Sequence, residues 1–157
     1  MVKIKFIVVD RTRSSFIREG ENLYLKRLRH YTHIEWEEVK AEKIRKGVSD
    51  EEVLKKEGQA ILRRLRPNDY KIALDRTGKQ YNSKKLASWL QQLSVITNGR
   101  ACFIIGGPVG LSEEVKETAD MIFSLSKLTL THEMSRLILL EQIYRSFTII
   151  EGYKYHR

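Results

Sequence analysis

Three stretches in the last third of the chain hold residues suited to gripping a polar ligand or moving a proton. The apolar run Ala101–Ile105 ends in Gly106-Gly107-Pro108-Val109-Gly110. Glycines there permit positive φ and let a ligand approach main-chain amides, and Pro108 stiffens the turn. A second run ends in Leu125-Ser126-Lys127-Leu128-Thr129-Leu130. Its leucines can wall the faces of an aromatic base while N–H and C=O groups read its edge. His132 follows at a helix start, where the positive helix end lowers an imidazole pKa and suits it to act as a base. The last residues, Tyr155-His156-Arg157, bring a phenol, an imidazole and a guanidinium together. Taken singly, each stretch has a plainer account: a tight turn, the end of a strand, a helix cap, a frayed terminus. The glycine run is neither a dinucleotide fingerprint nor a P-loop.

Strand-like and helix-like patterns alternate along the chain and must position these residues. Val2–Val9, Ile34–Val39, Tyr70–Asp75, Ala101–Ile105 and Met121–Leu125 read as strands. Ser14 or Ser15 opens a helix with Ile17, Gly20, Tyr24, Leu28 and Tyr31 inward. Ser49-Asp50-Glu51-Glu52 is a capping box for a helix bearing Val53, Glu57, Ala60, Ile61 and Leu65 on one face and stopping before Pro67. Asn82 or Ser83 opens a helix with Leu86, Trp89, Leu90 and Leu93 inward, and Ser112 caps a short one. Thr131 or His132 opens the last helix, on which Met134, Leu137, Ile138, Glu141, Tyr144 and Thr148 recur at helical spacing before Gly152 ends it. The βα repetition predicts an α/β fold: one mostly parallel sheet with helices on both faces, as a single domain over residues 1–157. Ligands of such sheets bind beyond the carboxyl ends of the strands. The loops after Leu74, Ile105 and Leu125 are therefore the candidate site.

Composition narrows the partners. The net charge of +9 favours a polyanion, nucleic acid before an anionic membrane. Most of the excess falls in residues 1–66, where Lys26-Arg27-Leu28-Arg29-His30 and Arg63-Arg64-Leu65-Arg66 are candidate phosphate contacts or simply solvated helix faces. Cys102 is the single cysteine, so no internal disulfide forms, and no Cys/His spacing suits zinc. Cys102 reads as a small core residue, and a reducing cytosol fits. No secretory signal is visible, and no apolar run approaches the roughly 20 residues needed to cross a bilayer.

The ordered motifs resemble the ribosomal RNA large subunit methyltransferase H family of SPOUT methyltransferases over essentially the whole chain. They are Lys56–Gly58, the Ala-Leu-Asp-x-x-Gly-Lys of Ala73–Lys79, the Ile-Gly-Gly-Pro-x-Gly of Ile105–Gly110 and the Ser-Leu-Ser-x-Leu-Thr-Leu of Ser124–Leu130. His132–Arg136, Glu141–Arg145 and the terminal Tyr-His-Arg continue the series. One departure is Thr131, where the family usually has proline; threonine can cap the helix instead.

The resemblance implies a deep trefoil knot in the C-terminal part, which no pattern in the residues suggests. It implies a homodimer in the cytoplasm, S-adenosylmethionine as methyl donor, and N3 of a pseudouridine in 23S ribosomal RNA, on the assembled ribosome, as acceptor. Carried over by position, the cofactor contacts are Leu74, Gly106 and Leu125 through Leu130. No metal is needed for a methyl already activated as a sulfonium. His156, Arg157, Tyr155 and His132 are the groups expected to take the N3 proton, stack on the base or stabilise the ring anion. Two other readings stand beside this one: a SPOUT enzyme acting on transfer RNA or a ribose 2′-hydroxyl, and a non-catalytic RNA-binding or ribosome-assembly factor. The lack of a separate RNA-binding domain weighs against the first, and cofactor binding separates out the second.

Overall fold

The structure, a computed structural model, describes residues 1–156. Ten elements alternate along it: β1 (Lys3–Val9), α1 (Ser15–Leu28), β2 (Ile34–Val39), α2 (Asp50–Leu62), β3 (Tyr70–Lys79), α3 (Ser83–Ile96), β4 (Arg100–Ile105), α4 (Glu113–Thr118), β5 (Met121–Phe123) and α5 (His132–Ile150). The strands form one parallel sheet in the order β2-β1-β4-β3-β5. All five carboxyl ends therefore lie along one edge, which is where the candidate loops emerge.

β4 is buried at every position because it lies between β1 and β3 and is covered on both faces. Side-chain alternation divides the core in two. Ile4, Phe6, Val8, Phe103 and Ile105 face α1, α3 and α5, with Phe6 and Phe103 stacked at 5.7 Å. Ile7, Val9, Cys102 and Ile104 face the side covered by Ile61 of α2 and Val115 of α4. Burial pushes the Cys102 thiol up to about 12, so it stays a neutral core group. Near the amino edge the sheet carries a set of ion pairs, of which Arg100–Asp69 is buried on both sides. Arg100 meets Asp69 at 2.7 Å and Glu35 at 2.5 Å, and Glu37 receives Lys5 at 2.5 Å and Arg64 at 2.9 Å. Burial alone would raise the Asp69 carboxyl, but Arg100 holds it below its ordinary value.

The helix caps follow the sequence. The side chains of Ser49, Asn82, Ser112 and Thr131 accept the N–H groups of Glu52, Lys85, Val115 and Met134. Ser14 occupies the N-cap of α1 without a side-chain bond. Instead its N–H, with that of Arg13, donates to the Glu133 carboxylate of α5.

Four expectations are corrected. β3 runs on to Lys79, because Leu74 and Lys79 both pair with Phe123 across an irregularity. β5 stops at Phe123, because Ser124 turns away, its N–H donating to Lys79 O and its hydroxyl to Ser126 O. On α1, Glu21 and Leu25 are buried, while Gly20 and Tyr24 turn towards Leu137 and Tyr144 of α5. On α5, the buried side is Arg136, Leu139, Leu140, Ile143 and Phe147, and Met134, Leu137, Ile138, Glu141 and Tyr144 are only half-buried. That helix is apolar on both sides, so periodicity alone does not say which side faces the sheet.

Candidate functional site

The irregular stretch of β3 that follows Leu74 and the loops after β4 and β5 line an open cavity of about 630 Å³ at the carboxyl edge. Each loop is shaped by close backbone approaches. After β4, Gly110 donates its N–H to Gly107 O at 3.0 Å, closing a Gly-Pro-Val-Gly turn with Pro108 in the position where its fixed φ fits. Gly110 sits at φ +83. A Cβ on Gly106 would lie 2.5 Å from the carbonyl group of Gly110, so this turn closes only over glycine. After Leu74, residues 75–78 loop out before Lys79 rejoins β5. A Cβ on Gly78 would meet the Ile122 carbonyl at 2.6 Å. After β5, the Ser126 hydroxyl accepts the Leu128 N–H at 3.0 Å, and Arg76 donates to Thr129 Oγ1 at 3.3 Å, tying two of the loops together.

Leu74, Gly106, Leu125, Ser126, Leu128, Thr129 and Leu130 all line the cavity, and so does His132. Lys127 does not; its side chain is exposed. The lining also takes in Asp75, Arg76 and Ser135, which sequence reasoning passed over. Asp75 and Arg76 follow Leu74 directly and had a positional signal. Ser135 had only its place one helical turn after His132. The walls are leucine and isoleucine, with hydroxyls, one carboxylate and one guanidinium set among them. Such a lining suits an aromatic ring joined to a charged, hydrogen-bonding tail. Among the described residues no His, Cys, Asp or Glu side chains gather as a metal site.

His132 sits at the mouth of α5, with Glu133 at 4.0 Å. Burial, and then the charge of Arg136, lower its pKa from the ordinary histidine value. Arg136 is fully buried and donates to Thr12 Oγ1 at 3.0 Å and Val9 O at 2.5 Å, while Thr12 in turn donates to Glu21.

The tail lies apart from the cavity. The Tyr155 hydroxyl donates to Glu141 at 3.2 Å, and its ring meets Tyr144 edge-on at 4.9 Å and the Arg145 guanidinium at 4.8 Å. Burial, and then Tyr24 and Glu141, raise the Tyr155 phenol, keeping it a neutral donor. His156 Nδ1 lies 3.4 Å from Arg145, which also pairs with Glu141. Arg157 falls outside the described residues. Glu141 stands nine residues beyond His132 on α5, about 14 Å along the helix axis. The basic runs are also remote. Residues 26–30 lead into β2 and residues 63–66 into β3, so both sit at the amino edge.

Comparison with known proteins places this geometry. A family model described as "Predicted SPOUT methyltransferase" matches residues 2–156. Proteins named ribosomal RNA large subunit methyltransferase H are similar throughout. That of Halothermothrix orenii is 42% identical over 99% of this chain and 100% of its own length. That of Parabacteroides distasonis is 39% identical over 99% of each. Two solved structures share the fold. One, described as a probable methylase family protein from Haemophilus influenzae, has a TM-score of 0.57 at 12% identity, covering 100% of this chain and 72% of that one. The other, a probable methyltransferase from Bordetella pertussis, has a TM-score of 0.56 at 13% identity, covering 92% and 94%.

Proposed function

The chain belongs to the SPOUT methyltransferases, within the ribosomal RNA large subunit methyltransferase H family, and from that premise we propose that it methylates ribosomal RNA from S-adenosylmethionine. The acceptor in this reading is N3 of a pseudouridine in 23S ribosomal RNA of the assembled ribosome, and the working form is a cytoplasmic homodimer. The observation that carries it is the cavity at the carboxyl edge, bounded by the Gly106–Gly110 turn and residues 125–130, with His132 on its lining.

When bound, S-adenosylmethionine supplies a methyl group already activated by its sulfonium. This chain's own residues do the rest. Leu74, Leu125, Leu128 and Leu130 wall the cavity for an adenine ring, and Ser126, Thr129 and the glycine-turn amides offer partners for its polar edge and the methionine end. Lys127 is assigned with them by its place in the family motif, although Arg76 and not Lys127 lines the cavity. His132, with its lowered pKa, is mostly neutral near pH 7 and able to accept the acceptor's proton. Tyr155, His156 and Arg157 are assigned to the acceptor side, stacking on the base and stabilising negative charge on the ring.

The dimer of this reading would use the half-buried side of α5 around Leu137, Ile138 and Tyr144, beside the contacts that Leu137 and Tyr144 make with Gly20 and Tyr24 of α1. The trefoil knot belongs to this reading as a feature of the family. After β5 at one border of the sheet the chain returns as α5, packed against both α1 and α3.

The test is to incubate the protein with labelled methyl donor and ribosomes, separated subunits or naked RNA, and to map the modified nucleotide by mass spectrometry. Label at N3 of a 23S pseudouridine, only with ribosomes, is the expected result. Label on transfer RNA or on a ribose, or no label, removes this reading.

A further inference from the structure

The loop between β2 and α2, residues 40–49, leaves the sheet at the same edge as the cavity. β2 is separated from β4 by β1 alone, so the loop begins about 10 Å, two strand spacings, from the glycine turn. A second concavity of about 420 Å³ forms here. Lys43, Arg45, Lys46 and Lys56 line it, with Glu42 and Glu52 as the only carboxylates on its wall. All four cations are exposed, and among the described residues none pairs with a carboxylate. This contrasts with the amino edge, where Arg64, Arg100 and Lys5 are held in ion pairs.

The loop has a built shape. Val48 donates its N–H to Arg45 O at 3.1 Å around Gly47 at φ +88, a turn that favours glycine at that position. Its base is fastened to α2, where the buried Glu57 carboxylate accepts the Glu42 N–H at 3.0 Å. The other Glu57 oxygen is buried without a partner and lies 3.6 Å from where a Cβ on Gly107 would stand. Glu57 thus sits between the loop and the glycine turn and fastens the loop base to α2 at that point.

We infer that Lys43, Arg45, Lys46 and Lys56 form a cradle for the phosphodiester backbone of single-stranded RNA whose target base is presented at the mouth of the cofactor cavity beside it. The inference rests on the RNA methyltransferase reading. A nucleotide held at the mouth of that cavity leaves its neighbours along the carboxyl edge, and there the unpaired cations meet their phosphates. The contacts are to backbone, so they add affinity and register without reading sequence.

The test measures binding of the full-length protein to ribosomes, and to a single-stranded RNA oligonucleotide, across a potassium chloride series. Each lost phosphate contact on single-stranded RNA flattens the slope of log K against log salt by about 0.7, so Lys43→Ala/Arg45→Ala/Lys46→Ala should flatten it by about 2. S-adenosylmethionine binding by calorimetry should match the parent, showing that the fold and cavity persist, and KM for ribosomes should rise with kcat little changed. The same series on Arg63→Ala/Arg66→Ala compares the two edges. An unchanged slope and KM in the triple variant, or a larger change from the amino-edge pair, overturns the cradle while methyl transfer by the parent stands. A parent that methylates no RNA sinks the functional reading first, and the cradle with it.

Discussion

The Arg136 guanidinium donates to the Val9 carbonyl at 2.5 Å, joining residues 127 apart in sequence. It pins the first turns of α5 to the end of β1. Thr12 extends the link, accepting from Arg136 and donating to Glu21. Glu133 adds a second tie by taking the N–H groups of Arg13 and Ser14. His132 is thereby carried on a helix start that is fixed from two sides.

Removing Arg136 should therefore be costly. Truncating one partner of a buried charged cluster leaves the other uncompensated, a loss of about 3–5 kcal/mol. We expect Arg136→Met to lose stability in that range in urea unfolding, and Glu21→Gln in the same chain to restore part of it. A single variant within about 1 kcal/mol of the parent would show that the cluster does not hold the α5 start.

His132 gives a pH signature. Its folded pKa lies below the ordinary 6.5, because burial and Arg136 disfavour the imidazolium. The unfolded chain therefore binds more protons as pH falls through about 6.5, and stability declines until the folded pKa is passed. If His132 accepts the proton, methyl transfer should show an acid limb with its midpoint below 6.5, and His132→Asn should abolish that limb. A limb that survives unchanged in the variant assigns the proton to another group, with His156 next.

The sheet and its caps were legible because they depend on local chemistry. Ser49, Asn82, Ser112 and Thr131 cap where their short polar side chains precede apolar periodicity, and the continuous apolar run at β4 announced a strand covered on both faces. The loops around the cavity were legible for a related reason, since a parallel sheet sends its carboxyl-end loops to one edge. What was not legible depends on partners distant in sequence. Glu21 and Arg136 look like surface charges until Thr12 and Val9 are brought to them. The inward side of α5 is ambiguous because Leu137 and Ile138 are as apolar as Leu139 and Leu140. The loop at residues 40–49 has no periodicity, and its position relative to the cavity follows only from strand order.

The glycine turn should tolerate no side chain at Gly106, the residue that leads into it. A methyl at Gly106 would stand 2.5 Å from the Gly110 carbonyl, which is backbone of the same turn, so the turn itself must open. The clash is thus with the protein and not with a ligand. We expect Gly106→Ala to weaken S-adenosylmethionine binding at least tenfold by calorimetry while the far-ultraviolet circular dichroism stays that of the parent. Parent-like affinity would remove this turn from the cofactor site.

Truncation after Lys154 tests the tail. It deletes Tyr155, His156 and Arg157, and with them the edge-on contact to Tyr144, the cation–π contact from Arg145 and the bond to Glu141. These surface contacts together stabilise by about 1–2 kcal/mol, so the fold and the cavity should survive. If the tail handles the acceptor, methyl transfer should fall by at least about 10²-fold, the scale of a lost acid–base group, with S-adenosylmethionine affinity unchanged. Within one chain the tail is docked about 14 Å along α5 from His132, so it must leave that berth or serve the cavity of a second copy. Mixing the truncated chain with Gly106→Ala distinguishes these. Activity that returns on mixing places the tail of one chain at the cavity of another, and activity that stays lost confines it to its own. Ribosome methylation by the truncated chain at the parent rate would strip the tail of any catalytic part and leave His132 to take the proton.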